Sequence, residues 1–496
     1  MKEYREPREN YALFGGMALL YGVVFAFCLY RNIAGITFPI YVLATIFFAV
    51  LVLRHLATVM DEEGTGVISA KSIKLKKGTI PYFAGMMILG VGNACTTSEF
   101  FLFFNWVGIA LLFVVAMVHQ FYNDETWNFT AYFKRLVVLF FSSCAHLFSV
   151  ISHGAGYVKD KENNKDKRLI YVGLGLAIAF GALCVIFPLL VSSDMIFHQV
   201  FGSMINHIDM VSILLMTGMV LAGTALSYAF LCGLCRRNLL NTKAGREYNA
   251  NSIIGITFTA VIAVVYMFYS GIQIIYLFIG LENGLPDGVT YSQYAHSGFW
   301  QLLFVSIINF CMVLLCKNLF SESKILNVLL TVISLCTFVM IASAMYRMIL
   351  YVQEYNLTFL RLLVLWFLFL LIFIMLGTVF SIYKKEFPLF RYSVAVVACF
   401  YIVFSLAKPD YQIARYNVAH DEVMTMQDLD YLIYQLSDDA APIVAQIGDG
   451  AYVASQEAAD ELEWYFDRIE VKYQDAYFRK ANLAKSQALN AAAKYK

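Results

Sequence analysis

The residues of this chain that could do chemistry are polar side chains set inside long apolar runs. Arg347 lies in the run Ile325 to Leu350, Glu354 follows seven positions on, and Arg361 opens the next run. Residues seven apart share a helical face, so Arg347 and Glu354 could line one side of an outer vestibule for a small ion or molecule. The plainer alternative is that they mark an interface, with Arg347 reaching to it along its aliphatic stem. Asn93 and Asn309 are candidate binding residues of the same kind, beside Asn105 and Gln273. Each could equally be a hydrogen bond between neighbouring helices. Glu99 follows Thr96, Thr97 and Ser98 in a short connection and reads as exposed.

Catalytic and metal-binding patterns are missing. His146 and His153 could face one cavity, and His198 and His207 share a loop with Asp194 and Asp209, but neither set has a metal-ligand spacing. Cys232 and Cys235 form a CxxC without a second pair, near the end of an apolar run, and read as small packing residues. No P-loop, GxSxG elbow or HExxH motif occurs. That argues against ATP-driven transport by this chain and against the commonest hydrolases. No catalytic residue, metal or cofactor is therefore expected, and the reading leans away from an enzyme.

The elements that must position these residues are membrane helices. Of 496 residues 60% are hydrophobic and 14% charged, with mean hydropathy +0.66. A soluble domain is about a quarter charged, so the excess apolar surface must face lipid. A net charge of +1 gives no reason for a nucleic-acid partner. The predicted fold is all-α, a polytopic integral membrane helical bundle over residues 1–408. Its spans are expected near 11–30, 33–53, 80–96, 101–119, 169–191, 211–235, 253–279, 298–316, 325–350, 359–383 and 389–407. The first of them would serve as an uncleaved anchor. The stretch Leu136 to Ile151 is short and carries Ser142, Ser143, His146 and Ser149. Reading it as interfacial or re-entrant gives eleven spans and puts every basic connection on one face; letting it cross gives twelve. The N-terminus is then cytoplasmic and the C-terminus extracytoplasmic.

Beyond Pro409 the chain turns polar and forms a small extracytoplasmic helical tail over residues 409–496. Gln456 to Lys494 has neither Gly nor Pro and reads as one long helix, capped by Ser455. Its length offers a surface to a protein partner. Arg415 and Tyr416, just past the last span, are expected to dock the tail through Asp428 or Asp430.

Four strings order this second half: Tyr291 to Leu302 (YSQYAHSGFWQL), Ile413 to Val418 (IARYNV), Asp428 to Leu432 (DLDYL) and Asp438 to Pro442 (DDAAP). Tyr477 to Leu483 (YFRKANL) closes the series. The order resembles a family of bacterial polytopic membrane proteins known as a domain of unknown function, of the 4173 type. The resemblance runs from Thr290 onward, with His296 standing where the family pattern has Arg. It implies a bacterial inner membrane and carries over no catalytic residue. Physically, Tyr291, Tyr294, Phe299 and Trp300 suit an outer aromatic belt. On the sequence, the leading function is a sensor, scaffold or accessory subunit of an envelope complex. The alternative is a secondary transporter or channel.

Overall fold

The computed structural model describes residues 7–56, 75–122, 124, 127, 129–160, 210–235, 250–278, 291–384, 386–420, 425–448, 456–474 and 478–495, with isolated positions between 175 and 193. Every named element among them is helical, and the strand-like pairing they show is an isolated bridge between Ala250 and Phe320. The bundle comprises α1 (Tyr11–Leu29), α2 (Thr37–Leu56), α3 (Ile80–Asn93), α4 (Glu99–Phe121), α5 (Phe129–Ala145) and α6 (Ser149–Asp160). It continues with α7 (Met210–Cys235), α8 (Ser252–Phe278), α9 (Tyr291–Leu319), α10 (Lys324–Tyr355), α11 (Phe359–Tyr383) and α12 (Leu389–Leu406). Nine described helices are long and apolar enough to cross a membrane: α1, α2, α4 and α7 to α12. The segment 136–151 holds a 56° bend between α5 and the start of α6. Apart from isolated positions, the expected span 169–191 and the loop carrying Asp194, His198, His207 and Asp209 lie outside the described residues, and α9 begins at Tyr291, ahead of the expected span 298–316.

The helix α3 is shorter than the expected span 80–96. Its 14 residues extend about 21 Å, against a hydrocarbon core of about 30 Å. Small residues let it sit close to its neighbours: a Cβ on Gly90 would stand 3.0 Å from Val42, and one on Gly85 3.3 Å from Leu112. Among the described helices, backbone comes closest to backbone where α1 crosses α7 at Gly22 and Gly223. A Cβ on Gly22 would stand 2.3 Å from the Thr224 hydroxyl and 2.5 Å from the Val220 carbonyl, and one on Gly223 3.1 Å from the Gly22 Cα. Lipid supplies no hydrophobic drive between helices, so such close van der Waals contact is what holds them.

The tail folds on itself as α13 (Pro409–His420), α14 (Met426–Asp430), α15 (Ala441–Gly448), α16 (Gln456–Tyr473) and α17 (Leu483–Tyr495). The expected single helix over 456–494 is thus two. Asn482 breaks it: its Oδ1 accepts from Ala484 N at 2.8 Å and Lys485 N at 3.2 Å, capping α17. The reversal stacks Tyr495 on Phe466, with ring centroids 4.6 Å apart, and buries Leu462, Phe466 and Ile469 against Ala488 and Ala492. Folding back covers an apolar face that one extended helix would leave wet. Ser455, the expected cap, lies outside the described residues.

At the opposite end of the bundle a charged knot ties three helices. The Asp124 side chain is 1% exposed. It accepts from His119 Nδ1 at 2.9 Å, from the Tyr132 hydroxyl at 2.7 Å, and from Nε and Nη2 of Arg391 in the first turn of α12. Burial alone would raise this carboxyl's pKa. The donors from His119, Tyr132 and Arg391 outweigh it and hold the value down to about 2. Lys76 Nζ closes α4, donating to the His119 carbonyl at 2.5 Å and the Tyr122 carbonyl at 2.8 Å. Removing one partner of a buried pair leaves a bare charge, which costs about 3–5 kcal/mol. Arg391→Ala is therefore expected to lower the unfolding temperature in detergent, and adding Asp124→Asn to recover part of the loss. An unchanged melt in the single variant would mean the knot is structurally idle.

Candidate functional site

The strongest assembly of polar groups is the joint between tail and bundle. It starts at Asp438 and Asp439, neighbours in a 3-10 turn (Asp438–Ala440) and both buried. Their carboxylates face opposite ways. Asp438 takes Lys472 Nζ at 2.7 Å, Arg468 Nη2 at 3.3 Å and the Tyr473 hydroxyl, all from α16. Asp439 turns to the bundle and accepts from the Thr96 hydroxyl at 2.6 Å, the Thr97 hydroxyl at 2.6 Å and Thr97 N at 2.7 Å. One turn thereby links the tail's core to the α3–α4 connection. Beside it, Asp410 accepts from the Ser437 hydroxyl at 2.5 Å. Burial, and then the Asp439 charge, push the Asp410 carboxyl above the usual carboxylate range.

The remaining contacts satisfy backbone groups at helix ends. Asn482 Nδ2 donates to the carbonyls of Ala34, Asn93 and Thr96 at 2.5, 3.1 and 3.0 Å. Arg479 Nη2 reaches the carbonyls of Phe27 at 2.8 Å and Tyr30 at 3.1 Å, closing α1. Its own carbonyl accepts from Asn32 Nδ2 at 2.5 Å and would stand 2.2 Å from a Cβ on Gly35. At the α10–α11 connection, Asn417 accepts from Leu357 N at 2.9 Å and donates to Leu357 O at 3.0 Å, while the Tyr431 hydroxyl accepts from Phe359 N at 2.8 Å.

Four of the five strings that stood out, those from Ile413 onward, contribute to this joint, mostly through other residues than expected. In the string from Ile413 to Asn417 the buried side chains are Ile413, Ala414 and Asn417, one face of α13. Arg415 is exposed, and Tyr416 stacks on His420 with centroids 4.1 Å apart. Asp428 caps α14 in a capping box with Thr425 and accepts from Asn356 at 3.3 Å; Asp430 is exposed. The tail is thus clamped by Asn417, Tyr431, Asp439, Arg479 and Asn482. An amide among a helix's polar residues gives no local signal that it will meet a carbonyl hundreds of positions away.

The candidates inside the bundle are tied to one another. Asn93 Oδ1 accepts from Asn105 Nδ2 at 2.8 Å, and Asn105 Oδ1 accepts from the hydroxyls of Tyr401 at 2.8 Å and Ser405 at 3.0 Å. Asn309 accepts from the Tyr266 hydroxyl at 2.7 Å and donates to Thr337 at 2.9 Å. Arg361 donates to the Tyr355 carbonyl at 2.5 Å and to the Asn356 carbonyl, and its guanidinium lies 4.2 Å from the Tyr351 ring centroid. It closes the end of α10, where Asn356 takes φ 63°. Glu354 is exposed on that last turn, and Arg347 is half-buried a turn and more below. Among the described residues no group of three His, Cys, Asp or Glu could hold a metal ion. An apolar cavity of about 500 Å³ opens among α1, α2, α4, α5 and α7.

Two outcomes test the joint. Asp439→Ala strips three donors of their partner, at a cost of about 3 kcal/mol. Limited proteolysis should then cut beyond Lys408 faster while the bundle stays folded; wild-type resistance would remove Asp439 from the joint. A carboxyl whose folded pKa is raised binds its proton more readily folded than unfolded. Protonating Asp410 therefore stabilises the joint as pH falls through its raised folded value towards the usual carboxylate range. Protease resistance of the tail should rise over that window, and Asp410→Asn should abolish this rise.

No curated protein and no solved structure matches the chain. A family model described as "Domain of unknown function (DUF4153)" matches residues 83–447, from α3 through α15. The match starts well before Thr290 and carries a different number from the 4173 type that the motifs suggested. It takes in both faces of the joint, the turn at Thr96 and Thr97 as well as Asn417, Tyr431 and Asp439. The chain belongs to the DUF4153 family, a domain of unknown function.

Proposed function

We propose that the protein is a sensor or scaffold subunit of a cell-envelope complex in a bacterial cytoplasmic membrane, with its tail as the docking head. The observation that carries this reading is the joint: a folded head whose hydrophobic core runs into the bundle through Val352 and Leu357. Such a head moves with the helix ends it clamps. Its outer side carries Tyr434 and Trp464, 48% and 47% exposed, with ring centroids 5.6 Å apart. The Arg468 guanidinium sits 5.3 Å from the Trp464 ring. Tyr, Trp and Arg are the side chains that carry most binding energy in protein interfaces. Transport has less support, because the candidate amides Asn93, Asn105 and Asn309 bond to neighbouring side chains.

The topology that goes with this reading has eleven crossings: the nine long helices, the short α3, and the apolar stretch 169–191. The α5–α6 elbow enters and leaves by one face. The tail sits on the face where α1 and α12 end. Arg54, Lys76, Lys317, Lys324 and Lys384 mark the opposite face, which the positive-inside rule makes cytoplasmic, with the tail outside.

Reporter fusions after Tyr495 should be active outside the membrane and fusions after Arg54 inside; the reverse pattern overturns the topology. A photo-crosslinking residue at position 464 in native membranes should give one discrete adduct to an envelope protein, weakened by Tyr434→Ala. An absent adduct, together with ion or solute flux in proteoliposomes, would replace the docking reading with transport.

A further inference from the structure

We infer that the cavity among α1, α2, α4, α5 and α7 is a binding site for one hydrocarbon chain of a bilayer phospholipid. The inference is independent of the docking role, since it rests on the shape and chemistry of the cavity. The lining runs from Phe14 to Phe25 on α1, Tyr41 to Val52 on α2 and Trp106 to Met117 on α4. Twelve helical residues cover about 17 Å, close to the ~15 Å thickness of one leaflet's hydrocarbon. Spread over that length, the volume of about 500 Å³ open to the centre of a water-sized sphere gives a cross-section of about 30 Å², or about 60 Å² once the sphere's ~1.4 Å radius is added. A helix with side chains is about 10–12 Å across and needs ~80 Å² or more. A partner's transmembrane helix does not fit; a single flexible chain does.

The walls present carbon. The lining tyrosines have partners already, with Tyr21 2.9 Å from the Tyr41 hydroxyl and 3.1 Å from Thr45 Oγ1 and the Tyr228 hydroxyl 3.0 Å from His153 Nδ1, and the Ser143 hydroxyl alone among these groups is buried without one. A polar solute would forfeit its water here without gaining hydrogen bonds, at several kcal/mol per group. The rim carries Trp106, Phe140 and Leu226, all well exposed, so the cavity opens sideways between α4 and α7 into the region that lipid fills. On that side α4 and α7 meet through side chains, with the rings of Phe113 and Phe230 5.5 Å apart. The most abundant molecule of matching shape at that opening is a phospholipid of the surrounding leaflet.

The test uses the full-length protein in nanodiscs of phosphatidylethanolamine and phosphatidylglycerol, doped with phosphatidylcholine bearing a mid-chain diazirine. After irradiation, adducts should appear on Met17, Phe48 and Phe113, half-buried residues of the lining. Ala49→Phe should cut these adducts about tenfold, as expected for displacing two or so methylenes of the chain, and leave those on outward-facing Phe141 unchanged. Should Ala49→Phe not fold, Ala110→Phe at the exposed edge of the lining gives the same readout. Adducts confined to outward-facing residues, or undiminished in the folded filling variants, overturn the site. Loss of the inner adducts to an equimolar prenyl lipid overturns the phospholipid as its occupant.

Discussion

A helix ends with backbone groups that have no partner inside the helix, and at a membrane face these cannot be left in lipid. The tail supplies the missing partners. Asn482 collects carbonyls from three separate places in the bundle, Arg479 closes α1, Asn417 makes both hydrogen bonds of Leu357, and Asp439 takes the amide and hydroxyls of the α3–α4 turn. Each contact is a side chain of the tail meeting backbone or turn groups of the bundle. Removing the tail would expose all of them together, which makes the head part of the membrane fold rather than an appendage.

The adjacent aspartates set the strength of that attachment. Asp438 faces cations and a tyrosine hydroxyl, so its charge is compensated inside the tail. Asp439 faces uncharged donors, and Asp410 shares its neighbourhood. Burial, and then the Asp439 charge beside it, raise the Asp410 carboxyl. The Asp124 knot at the other face is the opposite case: one carboxylate, four donors and a depressed pKa. The two ends of the bundle therefore respond to acid in opposite senses, the tail joint tightening before the Asp124 knot loosens.

Much of the membrane part was legible because hydropathy over twenty residues is a physical requirement of crossing lipid. Nine long helices coincide with expected spans, and the tail boundary at Pro409 is visible in the change of composition. The tail's reversal at Asn482 was hidden, because nothing in a Gly- and Pro-free stretch marks a break whose reason is the burial of Phe466 under Tyr495. The site residues were hidden for a related reason. Arg415 attracts notice as a charge beside a span, but a solvated charge gains little from pairing. Asn417, two positions on, gains more because both its amide atoms find otherwise unpaired backbone groups. Asp124 and Arg391 lie 267 positions apart, and no local pattern joins them. The bundle amides suit either ligand binding or links between helices, and their mutual hydrogen bonds favour the second.

The helix α1 takes part in both regions of interest. Its C-terminal carbonyls are held by Arg479, its middle presses Gly22 onto the backbone of α7, and its inner face from Phe14 to Phe25 lines the cavity. Sharing an element is not coupling; coupling needs an element with two arrangements that both sites bias. A helix fixed by backbone contact at its middle and by hydrogen bonds at its end has little freedom to supply them. The opposite wall is held in two ways. There α4 touches α7 through the Phe113 and Phe230 rings and the Tyr122 hydroxyl on the Leu234 carbonyl, while α5 meets α7 where a Cβ on Gly233 would stand 3.0 Å from Ser143 N. Rings can change rotamer at far lower cost than a glycine contact can open. A chain entering the cavity would therefore move the rings between α4 and α7 before it moved either glycine contact.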